Sequence, residues 1–322
     1  MSFLITSSPH SNDFGSVPLM MRTVIIGLLP ATIAGIVLFG WPALLVILSS
    51  VIAAVLTELA VNKIMKVEPT ISDGSAALTG LLLALTLSPV MPWWQAALGA
   101  VFAIAVGKML FGGLGYNIFN PALVGRAFLA AAFPVQMTTW AAPMFWRGVE
   151  AVSSATPLAL MKFQQQTTVY SKLFFGNVSG CIGETSALLL LLPALFFMFK
   201  GLINWRIPAS YLGSVAVLGG LFWLIDPTKY PDPLFHLLAG GLMLGALYMA
   251  TDLVTSPLTP KGMWVFGAAA GVLVVVIRLF SGLPEGVMYS ILIMNAFVPL
   301  INCYTRPRIL GYPQKRFGRP VK

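Results

Sequence analysis

Apolar residues run with few breaks from residue 24 to 304, and polar residues punctuate them at intervals. An α-helix needs about 20 residues to cross a bilayer. On that scale the pattern predicts ten membrane segments, at 22–40, 42–62, 73–89, 93–111, 117–133, 181–199, 207–225, 233–250, 263–280 and 285–304. Several are short of a full span. Segments 73–89 and 117–133 are also interrupted by Gly, Asn and Pro, which marks tilted, broken or re-entrant helices lining a site inside the protein. The one long polar interruption is 134–180, and long loops in compact folds usually carry function. Within it, "AVSSATPLALM" (151–161) places Thr156 before Pro157. A hydroxyl residue followed by Pro starts a helix, with Thr as N-cap and Pro at the first helical position.

Composition fixes the class. The chain has 322 residues, 58% hydrophobic and 9% charged, against about 25% charged in soluble domains. Its mean hydropathy is +0.88. These values describe an all-α polytopic membrane protein with a single membrane domain over 1–322. A net charge of +9 invites a nucleic-acid reading, but the basic residues lie in short loops and in the tail 305–322. With a cytoplasmic N-terminus, 13 basic residues fall inside (Arg22, Lys63, Lys66, Lys108, Lys200, Arg206, Lys261 and six in the tail). Five fall outside (Arg147, Lys162, Lys172, Lys229 and Arg278), and Arg126 stays in the membrane. The positive-inside bias and the even number of segments agree, placing both termini in the cytoplasm and 134–180 on the outer face. Nucleic acid is excluded as a partner; lipid is not.

Cys181 and Cys303 are far apart on or near apolar segments, and His10 and His236 are isolated. No CxxC or Cys/His cluster is present, so this chain alone is expected to hold no iron–sulfur or zinc site. Residues 1–21 have no apolar core followed by a small-residue cleavage site, so no secretory signal is expected. Arg126 lies within segment 117–133, where a charge is costly and is paired or functional; Asp73 is one candidate partner. Asp73 and Glu184, with Glu58 and Asp252, are acids at or near membrane depth. Asp73 and Glu184 are candidates for an ion path, and equally for helix starts, where acids are favoured.

The tetrapeptide "SSAT" (153–156) resembles the flavinylation motif of the RnfD/NqrB family, which unites the membrane D component of Rnf complexes with the B component of the sodium-translocating NADH:quinone reductase. So do, in the family's order, "SDGSAALTGLLLALTLSP" (72–89), "GYNIFNPALVGRAF" (115–128), "GETSALLLLL" (183–192), "MATDLVTSPLTPKG" (249–262) and "GVMYSILIMNAFVPLIN" (286–302). The short N-terminal region is closer to the Rnf branch. Ser154 stands where Gly is frequent in the motif, and both are small. The resemblance implies FMN joined through its phosphate to the Thr156 hydroxyl, with Ser153 and Ser154 beside the phosphate. A helix N-terminus suits such a phosphate. It also implies a second, non-covalent flavin, riboflavin or FMN, near Asn117, Asn120 and Asp252, with Arg126 as a partner for flavin phosphate or an acid. Asn117 and Asn120 are three apart, and their amides match the donor–acceptor edge of an isoalloxazine. Asn120 before Pro121 also reads simply as a helix cap.

The expected function is a flavin-carrying electron-transfer subunit of an Rnf-type complex that couples ferredoxin:NAD+ electron flow to Na+ or H+ translocation. The expected location is the bacterial or archaeal cytoplasmic membrane. Expected partners are the flavin-bearing G component, the A and E membrane components and the peripheral B and C components. The family fold is similar to that of urea transporters. This leaves a channel or facilitator as the alternative, and a non-redox scaffold as a third reading.

Overall fold

The computed structural model describes residues 16–68, 70–147, 154–184, 186–282 and 285–307. Among these residues every regular element is a helix. The first, α1 (Val17–Met65), is interrupted at Gly40, whose φ of 69° lies in the left-handed region. Arg22 donates to the Ser72 carbonyl and Glu58 accepts from Thr70. The arms 17–40 and 41–65 therefore return to one place, and the element is a helical hairpin turning at Gly40. Only Gly takes that φ without strain, and a Cβ there would sit 2.5 Å from the Trp146 ring.

Next come α2 (Ser75–Leu85), α3 (Trp93–Ala105) and α4 (Pro121–Ala132). With 11 and 12 residues, α2 and α4 extend about 1.5 Å per residue and reach only partway across a bilayer. Region 134–180 contains α5 (Pro134–Thr138), α6 (Pro157–Gln164) and α7 (Tyr170–Phe175). Then α8 (Ala187–Phe199) is a third short helix, of 13 residues. The C-terminus of α2 meets the turn before α8, where Ile182 N donates to Leu87 O at 3.0 Å.

After α9 (Arg206–Ile225), segment 233–250 is not the single span its hydropathy predicts. It divides into α10 (Pro233–Leu238) and α11 (Leu242–Leu244), the latter continuing as a π-helical stretch Gly245–Met249. The break falls at Gly240, with φ 72°. Two long helices complete the chain, α12 (Pro260–Phe280) and α13 (Val287–Tyr304). Among the described residues five helices are long and apolar enough to cross a membrane, α1 included and α3 counted with its continuation to Phe111; α2, α4 and α8 are apolar but shorter.

The tightest seam runs between α9 and α12. A Cβ on Gly267 would meet Ser210 Oγ and the Ile207 carbonyl, and one on Gly271 would meet Ser214 Oγ and the Tyr211 carbonyl at 2.6 Å. Glycines one turn apart let two backbones approach, the usual packing logic where lipid supplies no hydrophobic drive between helices.

Following the chain, residue 17 and Thr305 lie at one end of the bundle, here the terminal end. Gly40, Trp146, Thr156 and Gly282 lie at the other.

Candidate functional site

Thr156 is the N-cap of α6: its Oγ1 accepts from Ala159 N at 3.2 Å, as Thr-Pro predicts. The capping bond occupies a lone pair and leaves the hydroxyl proton free. Thr156 is 6% exposed and opens onto a cavity of about 620 Å³. Trp140, Phe163 and Tyr289 supply aromatic walls; Arg126, Ser154 and Glu285 supply polar ones. Ser154 is tied by its N–H to the Trp140 carbonyl at 3.0 Å and by its hydroxyl to Ser179. Ser153 lies outside the described residues.

Arg126 reaches the cavity from the middle of α4, and its partner is Glu285, not Asp73. Nη2 stands 2.5 Å from Glu285 Oε2. Asp73 is taken up locally: its Oδ1 accepts from Ser75 N and Oγ at 2.7 and 2.6 Å, organising the start of α2. Glu184 belongs to the Arg126 cluster. Its Oε2 accepts from Cys181 N at 3.3 Å, while Oε1 is buried without a hydrogen-bond partner. Ligand atoms of Cys181, Glu184 and Glu285 lie within 4.8 Å of one another. The two candidate ion-path acids, Asp73 and Glu184, thus sit in separate clusters.

The terminal end holds a second cavity, about 100 Å³, lined by Asn117, Asn120, Asp252, Lys108, Ser75 and Tyr248 among others. The structure brings together the three residues expected there. Their availability differs. Asn120 is engaged on every side: its Oδ1 caps α4 at Leu123 N, its Nδ2 donates to the Met249 carbonyl, and its N–H donates to Asn295 Oδ1, each at 3.2 Å. Asp252 accepts from Thr255 Oγ1 at 3.0 Å. Asn117 donates to the Phe119 carbonyl at 3.3 Å, but its Oδ1 is buried without a partner. It is therefore the acceptor left for a ligand.

Three residues escape a reading of the sequence. Lys108 is not a cytoplasmic loop charge: it is 2% exposed and its Nζ donates to both Glu58 oxygens at 2.9 Å and to Ser75 Oγ at 2.6 Å. Glu58 also accepts from Thr70 Oγ1, which accepts from Asn62 Nδ2, so one polar chain runs from Asp73 to Asn62 beside the cavity. The available signal was a lysine inside the apolar run 93–111. Glu285 was counted only as the start of a segment, and its signal was an acid between two apolar segments in a chain with one intramembrane arginine. Arg278, counted among the outer charges, is also buried.

Asn120 begins α4 and Arg126 lies six residues on, about 9 Å at the helical rise. One short helix thus has the terminal-end cavity at its start and the Thr156 cavity along its second half.

Residues 4–311 match the model of the NQR2, RnfD, RnfE family. The chain is similar to the D component of the proton-translocating ferredoxin:NAD(+) oxidoreductase complex of Clostridium ljungdahlii, at 47% identity covering 96% of each chain. It is 44% identical to the D component of the Na(+)-translocating ferredoxin:NAD(+) oxidoreductase complex of Acetobacterium woodii, covering 97% of this chain and 96% of that one. The D component of an Escherichia coli ion-translocating oxidoreductase complex is 37% identical, covering 97% and 99%.

Proposed function

The chain belongs to the NQR2, RnfD, RnfE family, and from that premise we propose that it is the flavin-carrying membrane subunit of an Rnf-type ion-translocating oxidoreductase complex. One observation carries the reading: Thr156, fixed at a helix N-terminus, opens with Arg126 and three aromatic rings onto one cavity of about 620 Å³. That volume falls within the ~300–1,000 Å³ of ligand pockets.

The donor set fits FMN. Bound through its phosphate to Thr156, FMN supplies reversible electron transfer. Pro157 has no N–H and Ala159 N is spent on the Thr156 cap, so the Leu158 N–H and the Ser154 hydroxyl are the donors at the start of α6 left for a phosphate. Arg126, its Nη2 paired with Glu285, offers its remaining N–H donors at the wall, its charge balanced by that carboxylate. Trp140, Phe163 and Tyr289 line the cavity with rings and help exclude water. At the other cavity, whose volume of about 100 Å³ is below the ligand-pocket range and admits only part of an isoalloxazine, Asn117 Oδ1 is an acceptor available to a second flavin. Two carrier sites along one 12-residue helix suit electron passage through the membrane domain, with the Thr156 side outward and both termini cytoplasmic. The partners in this reading are the G component at the outer face, the A and E components laterally and the B and C components peripherally.

The coupling ion is not written in overall similarity. The proton-translocating and Na+-translocating relatives resemble this chain almost equally, at 47% and 44%.

The test is ferredoxin-dependent NAD+ reduction by membranes carrying the whole complex, with a flavin transferase present. Thr156→Ala abolishes it and Thr156→Ser, which keeps a hydroxyl, retains part of it. Full activity in the Ala variant contradicts the assignment.

A further inference from the structure

Helix α6 has two working faces. Thr156, Ala159 and Phe163 line the large cavity, while Leu158, Met161, Lys162 and Gln165 turn to a separate one of about 140 Å³. The far walls of this smaller cavity are α10, the end of α12 and the loop after α9. Three cationic side chains line it, Lys162, Lys229 and Arg278, together with His236, and among the described residues no carboxylate does.

Two of these residues are deeply buried with donors unused. His236 is 2% exposed, and neither ring nitrogen has a hydrogen-bond partner. Arg278 is 4% exposed. Its Nη1 donates to the His236 carbonyl at 2.6 Å and its Nη2 to the Ala239 carbonyl at 2.9 Å, leaving Nε without a partner. Carbonyls orient this guanidinium, and the nearest carboxylate, Glu285, acts on it only through space while bonded to Arg126. The ion pairs among the described residues are Lys108–Glu58 and Arg126–Glu285, and neither includes Arg278. Glu285 is engaged by Arg126 and by Gly241 N. Asp232 of the α10 cap accepts from Phe235 N and from the Tyr170 hydroxyl. Lys162 is pinned at the wall by its bonds to the Arg278 and Ser281 carbonyls. A buried cation ordinarily has a counter-ion, and here the protein leaves space for one.

Leu224 and Ile225 at the end of α9, and Phe280 at the end of α12, are 70, 75 and 64% exposed. The cavity thus lies where two spanning helices leave the hydrocarbon, the level of lipid headgroups.

We propose that this cavity is a phosphate-class anion site, in which Arg278 Nε–H, a His236 N–H and the Lys229 ammonium hold phosphate oxygens, with the charge of the carbonyl-bound Lys162 ammonium beside them. Charge-assisted donors of this kind are the standard partners of phosphate. The occupant is the phosphodiester of an anionic lipid or free phosphate. Either would brace α6 on the face opposite Thr156. The assignment does not depend on the flavin reading.

The test uses the purified complex, stripped of lipid and placed in phosphatidylcholine nanodiscs. One arm titrates phosphatidylglycerol into the discs; the other adds inorganic phosphate to discs of phosphatidylcholine alone. Thermal unfolding is the readout. A saturable rise in the unfolding midpoint with phosphatidylglycerol only identifies lipid as the source, and a rise with inorganic phosphate identifies the free anion. No rise in either arm overturns the site. Lys229→Gln, on an exposed loop, and Lys162→Gln each raise the half-saturating concentration about tenfold, a factor worth 1.4 kcal/mol. Half-saturation unchanged in both variants overturns the proposal even if wild type is stabilised. Arg278→Gln is a third variant, and the Lys229 variant decides the matter should it not fold.

Discussion

Arg126 Nη2 lies 2.5 Å from Glu285 Oε2, and both residues line the cavity onto which Thr156 opens. The pair joins α4 to the loop before α13 and fixes the guanidinium at the wall. Removing one partner strands the other: Glu285→Gln is expected to lower the unfolding midpoint of the complex. The cost is below the roughly 3–5 kcal/mol of a fully buried pair, because Glu285 keeps 21% of its side-chain surface exposed. Arg126→Met with Glu285→Met recovers most of the loss, measured by thermal unfolding. A double variant no better than the single ones contradicts the pairing.

Lys108 and Glu58 make the stricter case, with side chains 2 and 0% exposed. Lys108→Met alone, or Glu58→Met alone, is expected to cost about 3–5 kcal/mol and to reduce assembled complex sharply. The double Met variant restores assembly. Size-exclusion chromatography of the complex reads the outcome.

Close approach of α9 and α12 depends on a missing side chain. Gly271→Leu drives carbon into the Tyr211 carbonyl and Ser214, and is expected to cost about 1–3 kcal/mol or more. Gly213, where an added Cβ meets nothing within 4 Å, is the control. Gly213→Ala, inside α9, leaves stability unchanged or raises it by up to about 1 kcal/mol, because Ala is the better helix former.

Outside the spanning helices, Tyr170 donates to Asp232 Oδ2 at 2.6 Å, tying α7 to α10. That bond first, then burial and the aspartate's charge, raises the phenol to about 12. A folded value above the unfolded one means the contribution is complete below the ordinary tyrosine value of about 10 and is lost as pH rises through about 12. The tyrosinate absorbance of wild type minus Tyr170→Phe is expected to titrate near the upper value.

Most of the architecture was legible because lipid enforces simple rules. Residue 17 and Thr305 at one end fit an even number of crossings, and the described residues hold five spanning helices and three shorter apolar ones. Short segments 73–89 and 117–133 became the short helices α2 and α4. Hydropathy failed at 233–250, since it averages over the left-handed Gly240 that divides the run. Thr156 and Asn120 were readable as caps because Thr-Pro and Asn-Pro declare a helix start locally. Pairings such as Lys108 with Glu58 were not readable, because they join residues fifty apart, and charge counting treats a buried lysine and a loop lysine alike.

The central claim is the covalent flavin. Its most direct test is the intact mass of the denatured protein, taken from the complex produced with a flavin transferase, beside Thr156→Ala. Loss of the capping hydroxyl costs α6 about 1 kcal/mol, so the variant is expected to assemble. The account predicts a mass increment of one FMN on wild type and none on the Ala variant. Wild type at its unmodified mass, with the transferase active on another substrate, contradicts it.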